Sequence, residues 1–477
     1  MRSRIVTLVG AGLAGSLLAL LLARRGLHVR VLERRPDPRV APAERGRSIN
    51  LALAARGIRA LERAGVMAGI QPLLIEMRGR QVHDPDGRQS LVPYGQRAHE
   101  VIHSVARGAL NLALIEAAAA LPNVEMRFDQ ACRGVDVGAN RLLLRDTIRG
   151  ADYDLPLTPT IATDGAGSAV RQSLAAAGSL RASESLLDHD YLELTIAPRA
   201  DGGFALEPQA LHVWPRGGFM LIALPNPDAS FTATLFLARN GADSFASLRT
   251  ASDVEAFFRR EFADAVPWLG DLAAQFAAHP RGLLGTVRCD RWHEDGRVLL
   301  LGDAAHAIVP FHGQGMNCAF EDCIELAELL DGGLGDEPGS GDPWSRVFAE
   351  FQRSRQPNAD AIAQMALENY IEMRDTVRDP AFLRQKAISL LLERRHPRRF
   401  IPRYSMVSFH PEIPYAEAQR RGAVQSQILD ALDRGADPGA NPGDDVCREV
   451  VGGADGVPAI NLAHADALVL QSLTEIA

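Results

Sequence analysis

The hexapeptide Gly10-Ala11-Gly12-Leu13-Ala14-Gly15 limits what this chain can fold into more than any other feature. It follows the apolar, β-branched run Ile5-Val6-Thr7-Leu8-Val9, which reads as a strand covered on both faces. After it, Leu17, Leu18, Leu21 and Leu22 recur at helical spacing until Gly26, and His28 to Leu32 forms a second strand ending at Glu33. Strand, helix, strand implies a parallel sheet with a right-handed crossover. In such a turn the first glycine permits the tight bend and the second lets backbone approach a pyrophosphate. The third lets the helix pack closely, and the helix N-terminus favours the negative charge. Glu33, 18 residues after Gly15, is placed to accept from a ribose hydroxyl. An acid there favours the unphosphorylated ribose of FAD or NAD over that of NADP. Arg34 and Arg35 cut the other way unless they are simply solvated.

A chain of 477 residues needs two or three structural units. A formal net charge of -8 argues against nucleic acid, whose phosphates select basic surfaces. Cys132, Cys289, Cys318, Cys323 and Cys447 show no CxxC spacing and suit no disulfide framework, so reduced thiols in a cytoplasmic chain are expected. The most apolar stretch, Leu8 to Ala23, is interrupted by glycines and shorter than the ~20 residues of a spanning helix. No membrane anchor and no metal site are expected.

Two later signals decide between FAD and NAD. One is Ala162-Thr163-Asp164-Gly165-Ala166-Gly167-Ser168-Ala169-Val170-Arg171, a second turn of acid and small residues after Ile161. The other is Gly302-Asp303-Ala304-Ala305-His306, followed by Pro310 and then Gly313-Gln314-Gly315-Met316-Asn317. Behind it Met316, Ala319, Phe320, Cys323, Ile324 and Ala327 mark one helix face, so a helix begins near Gly315. Asp303 can hold a flavin's sugar-like chain, and the N–H groups of Gly315 and Met316 can face its anionic ring edge.

These three signals, in this order, resemble the single-component FAD-dependent aromatic hydroxylases, the family of hydroxybenzoate hydroxylase. Further blocks are similar to its kynurenine-hydroxylating members: 46–53 (GRSINLAL), 93–96 (PYGQ), 222–226 (IALPN), 230–232 (SFT), 310–317 (PFHGQGMN), 369–374 (NYIEMR) and 401–404 (IPRY). They carry the likeness to about residue 430. The resemblance implies an α/β fold: a Rossmann-like FAD-binding domain, an inserted mixed or antiparallel β-sheet substrate domain and a C-terminal helical region. The FAD-binding part is expected at 1–75, 100–180 and 285–340, and the substrate sheet at 76–99 and 181–284. Covering helices are expected at 341–432, with a linker and tail at 433–477. Helical periodicity runs from about Trp344 to Leu392 and from Tyr415 to Leu432, with only a weak pattern beyond.

The resemblance also implies residue roles. Arg80 and Tyr94, joined by Asn369 and Tyr404, would bind a substrate carboxylate, and Glu372 an α-amino group. Arg offers a planar fork to a carboxylate, and phenols and an amide add donors without charge. Leu211, Ile222, Leu224, Phe236, Pro310, Phe311 and Met373 would form an apolar slot for the ring, with His312 at its flavin edge. Cofactor contacts would comprise Gly10, Gly12, Leu13, Ala14, Gly15, Val31, Leu32, Glu33, Ala52, Arg107, Cys132, Asp164, Asp303, Gly315, Met316 and Asn317. Each has a plainer reading: Arg80 as a solvated surface arginine, Tyr94 and Tyr404 as core tyrosines, the slot as ordinary sheet core. His306 reads as structural.

The implied activity is hydroxylation of L-kynurenine to 3-hydroxykynurenine with NADPH as transient co-substrate and dioxygen, through a flavin hydroperoxide. No residue would act as acid or base. Alternatives are a hydroxylase of another aromatic acid or tryptophan-derived intermediate, or a flavoprotein dehydrogenase or oxidase. A homodimer is left open.

Overall fold

The computed structural model describes residues 5–40, 50–333, 342–376, 379–435, 460 and 462–476. The 46–49 part of one signature block and Cys447 lie outside them, as do 334–341 and 436–459 of the loop, linker and tail stretches.

Strand Ile5–Val9 sits inside a six-stranded sheet, ordered Val124–Arg127, His28–Leu32, Ile5–Val9, Thr160–Ala162, Val298–Leu300 and His293–Glu294. All neighbours are parallel except the last pair. Val6, Leu8, Val29, Val31, Ile161 and Leu299 are buried in its core, as a parallel sheet with both faces covered requires. Helix Leu13–Arg24 packs against helices Arg107–Ala119 and Gly315–Gly333. An antiparallel meander, Gln130–Asp136, Arg141–Asp146 and Ala151–Pro156, adds Val135, Leu142 and Leu144 to the same core.

A second sheet has seven strands, ordered Gly282–Cys289, Ala182–Ile196, Phe231–Ala238, Met220–Pro225, Ala210–Pro215, Gly79–His83 and Gln89–Pro93. It is antiparallel except where Ala210–Pro215 meets Gly79–His83. Its two faces follow the period-2 rule. On Phe231–Ala238, residues Phe231, Ala233, Leu235 and Leu237 enter an aromatic core with Phe257, Phe258 and Phe262. Thr232, Thr234 and Phe236, between them, face a cleft on the other side. The same alternation sends Leu211 and Ile222 to the cleft and His212 and Leu221 away from it. The second core is completed by helix Ala251–Glu261, which opens with a capping box between Thr250 and Asp253.

The architecture is thus the α/β fold with a second mixed sheet and a C-terminal helical region. The helical stretch read as running from Trp344 to Leu392 is divided. Helix Pro343–Ile371 passes into a π turn at Glu372–Thr376, and a new helix, Pro380–Arg395, follows. The physical reason is a start signal at Asp379-Pro380: the Asp379 side chain accepts from Ala381 N at 2.8 Å, and Pro380 opens the helix. Helices Arg403–Phe409 and Tyr415–Gly435 complete the cover. The weakly patterned tail contains helix Leu462–Ser472, whose Leu462, Ala465 and Val469 bury against Ile388, Leu392, Phe400, Ile428 and Leu432. Among the described residues no helix is long and apolar enough to cross a membrane.

Candidate active site

The glycine turn is built around close approaches. Gly10 has φ 101°, and a Cβ there would lie 2.7 Å from the Thr163 carbonyl oxygen; one on Gly15 would collide with the Gly10 carbonyl. Thr163 closes the turn by donating through Oγ1 to Val9 O at 2.9 Å. Glu33 braces it from the other side, accepting from Ala11 N at 2.8 Å and from Arg35 Nε at 2.9 Å. Burial alone would raise this carboxyl, but Arg35's charge and these hydrogen bonds hold it below the ordinary value. Cys132 lies beside Asp164, and burial with that neighbour's charge pushes the thiol up to about 12, so it is an inert group. One Asp164 oxygen accepts from Ala169 N at 2.8 Å; the other is buried with no protein partner.

Between the two sheets and the C-terminal helices runs one cleft of about 660 Å³. At one end its walls are Gly12, Leu13, Ala14, Arg107, Asp303, Gly315 and Met316; at the other, Arg80, Tyr94, Leu211, Ile222, Leu224, Phe236, Pro310, Phe311, His312, Met373 and Tyr404, with Ala52 packed against the cluster of Tyr94 and Leu224. The remaining expected residues stand behind these walls. Val31 and Leu32 are buried in their strand. Asn317 Nδ2 donates to Ala52 O at 2.9 Å and Gly313 O at 2.7 Å, while its Oδ1 accepts from Ala54 N, so it ties the loops that border the cleft. Asn369 donates to Phe311 O at 2.7 Å and shapes the Phe311 turn. His306 is packed between Trp292 and Asp322, 2.7 Å from the latter.

Geometry at the far end is dominated by Arg80. Its guanidinium lies 5.1 Å from the Tyr404 ring centroid and 5.9 Å from that of Tyr94, and its NH1 is 3.7 Å from Glu372. Arg80 Nε, Tyr94 Oη and His312 Nδ1 are buried with no protein partner. Burial raises both phenols, against the opposing charge of Arg80, so they stay protonated donors. Burial lowers His312 to about 3, aided by the charges of Arg80, Arg403 and Arg56. A buried cation, two phenols and a neutral imidazole facing an apolar slot suit a small aromatic acid. The π turn at Glu372–Thr376 aims Met373 into that slot.

Three further residues stand near the site without having been assigned a role from the sequence. Lys386, on helix Pro380–Arg395, is lowered to about 8 by burial and the charge of Arg80, against the pull of Glu372. Asn50 lines the cleft and donates to Pro225 O at 3.0 Å and Asn226 Oδ1 at 2.7 Å, joining two signature blocks that lie 175 residues apart. Arg171, at the end of the second glycine turn, donates to Ala304 O at 2.9 Å and to Ala166 O, so it holds that turn against the Asp303 turn. Shared motif position marks Arg171 as a candidate; only the fold shows its partners.

The near end of the cleft fits FAD: an open, small-residue turn at a helix N-terminus, an unpartnered buried Asp164 oxygen and the Gly315–Met316 helix start. The FAD binding domain family matches residues 4–341. The kynurenine 3-monooxygenase of Stenotrophomonas maltophilia (strain K279a) is 49% identical over 435 residues, 91% of this chain and 93% of the relative. That of Myxococcus xanthus (strain DK1622) is 46% identical over 434 residues, 91% and 92%. Among solved structures, the tetrameric form of 2-methyl-3-hydroxypyridine-5-carboxylic acid oxygenase matches with a TM-score of 0.63 at 21% identity, over 80% of this chain and 96% of that one. Pseudomonas aeruginosa PqsL in complex with 2-aminobenzoylacetate matches with 0.60 at 24%, over 78% and 96%. These two likenesses speak to the fold alone.

Proposed function

The chain belongs to the kynurenine 3-monooxygenase family of FAD-dependent aromatic hydroxylases, and on that premise we propose that it converts L-kynurenine to 3-hydroxykynurenine. In the balanced reaction one atom of dioxygen enters the ring carbon ortho to the aryl amine. The other leaves as water, with NADPH and a proton supplying the two electrons and the hydrogens. Bound FAD supplies the reductive activation of dioxygen.

The carrying observation is the convergence of Arg80, Tyr94 and Tyr404 at the end of the cleft away from the nucleotide turn. Arg80 binds the α-carboxylate, with the two phenols as further donors. Glu372, beside Arg80, receives the α-ammonium. Leu211, Ile222, Leu224, Phe236, Phe311 and Met373 hold the ring in a fixed orientation and keep water out. The ring amine already enriches the ortho carbon in electrons, so no protein base is required. Neutral His312 closes the slot without adding charge. FAD would be held by the Gly10–Gly15 turn with Glu33 behind it, and by Asp303, Arg107 and the Gly315–Met316 N–H groups.

NADPH oxidation measured with and without L-kynurenine, with ¹⁸O₂ and product mass, tests this. Stimulation with one labelled oxygen in the product supports it. No stimulation in protein shown to hold FAD, or product without label, rejects it.

A further inference from the structure

Behind the cleft lies a run of buried polar groups, Gln314, Tyr415 and Arg56, that are not themselves among its walls. Gln314 occupies the loop between Gly313 and Gly315, both of which line the cleft. Its Oε1 accepts from Tyr415 Oη at 2.8 Å. The Tyr415 ring, fully buried, carries the Arg56 guanidinium 3.9 Å from its centroid. Arg56 directs its donors at main-chain carbonyls: Val407 at 3.0 Å, His410 at 3.3 Å, Met406 at 3.4 Å, and Ile413. Its remaining nitrogen reaches Glu321 Oε1 at 2.7 Å, and Glu321 Oε2 accepts from Arg355 at 2.7 Å.

Those carbonyls end helix Arg403–Phe409 and the turn after it, and Tyr404 stands at the start of that helix. Glu321 belongs to the helix that begins at Gly315. One buried cation therefore holds the segment bearing Tyr404, and the tyrosine stacked on it holds the loop at the nucleotide end. A guanidinium taken wholly out of water is costly unless every donor is met. Here the acceptors come from both sides of the cleft, so a shift on one side must be answered on the other.

We propose that Gln314, Tyr415 and Arg56 form a positioning relay that makes the placement of the Gly313–Gly315 loop depend on occupancy at Tyr404. Substrate binding then governs how completely NADPH oxidation is coupled to hydroxylation. This rests on the function proposed above.

Tyr415→Phe removes one hydroxyl and keeps the ring under Arg56. FAD content and the KM for L-kynurenine stay within about two-fold of wild type, since neither site loses a contact. Product formed per NADPH falls several-fold, with hydrogen peroxide making up the difference, and the change in flavin absorbance on adding L-kynurenine shrinks. Gln314→Leu, which removes the acceptor instead, reproduces both effects, and the double variant is no worse than either single one. Coupling and flavin response equal to wild type in both variants, with only a lower melting temperature, overturns the relay and leaves a packing role. If wild type itself gives no L-kynurenine response, the functional reading fails; a wild-type response that both variants share refutes the relay alone.

Discussion

The rings of Tyr94 and Tyr404 stack with centroids 5.6 Å apart and planes 8° apart, although one follows the edge strand of the seven-stranded sheet and the other comes from a C-terminal helix. Tyr94 Oη is buried without a protein partner, so the stack presents an unused donor to the cleft. Tyr94→Phe then separates binding from folding. It removes no hydrogen bond from the free protein, and the melting temperature holds or rises. It removes a charge-assisted bond to the proposed substrate carboxylate, about 1.5–3 kcal/mol, which raises the KM for L-kynurenine roughly 10- to 100-fold. A fall in melting temperature with unchanged KM would make Tyr94 an ordinary core tyrosine.

Arg80 is held by aromatic faces and by Glu372 at 3.7 Å, a geometry that keeps its fork turned towards the cleft. Arg80→Lys preserves charge but loses the planar fork, and KM rises roughly ten-fold. Arg80→Ala removes the cation altogether, and KM rises roughly 100-fold or more. Saturating turnover falls less than kcat/KM in both, because the ring slot is intact. Steady-state kinetics over a wide L-kynurenine range checks this; wild-type KM in Arg80→Ala would exclude the carboxylate role.

The sequence made the nucleotide turn legible because its chemistry is local: strand, glycines, helix and Glu33 lie within a few dozen residues. Leu211, Ile222, Leu224 and Phe236 could be named by resemblance, and their facing follows from strand alternation once the register is set. Tertiary pairing was not legible. Nothing local tells that Asn50 meets Asn226, that Arg56 meets carbonyls beyond residue 405, or that Lys386 lies near Arg80. Nor does anything local tell that the Asn369 and Asn317 amides donate to the carbonyls of Phe311 and Ala52, loops beside the cleft. The split at Asp379-Pro380 was written in the sequence as a cap and a proline, but the helical periodicity on both sides masked it.

Burial lowers His312 to about 3 and His212 to about 4, both from an ordinary 6.5. A folded value below the unfolded one means that the unfolded chain takes the proton first as pH falls. The stability these groups allow is whole above about pH 6.5 and is lost progressively between there and about pH 3–4. Each histidine contributes a slope of about 1.4 kcal/mol per pH unit within that window. Urea unfolding at pH 7.5 and 5.5 should show the loss, and His312→Gln should lessen its pH dependence. For the same reason no ionisation of His312 should shape the kcat/KM profile between pH 6 and 8; an inflection there that disappears in His312→Gln would contradict its neutral state.

Arg97 serves two buried carboxylates, lying 2.7 Å from Glu100 and 3.2 Å from Glu393, while Gln96 donates to Glu393 at 2.6 Å. This cluster fastens the loop after Tyr94 to helix Pro380–Arg395. Burial raises Glu393, and the nearby Glu100 charge adds to the rise against the pull of Gln96 and Arg97. Removing the cation leaves two like charges facing each other out of water, a cost of about 3–5 kcal/mol for a fully buried pair and roughly half that where, as here, the arginine is 36% exposed. Arg97→Ala should therefore lower stability by about 2 kcal/mol and loosen the helix that carries Lys386, seen as faster amide exchange over 380–395. Glu393→Gln in the same chain removes one of the two charges and keeps an acceptor for Gln96, so it should restore most of the loss. A double variant no more stable than Arg97→Ala would show that Arg97 acts through packing of its stem and not through its charge.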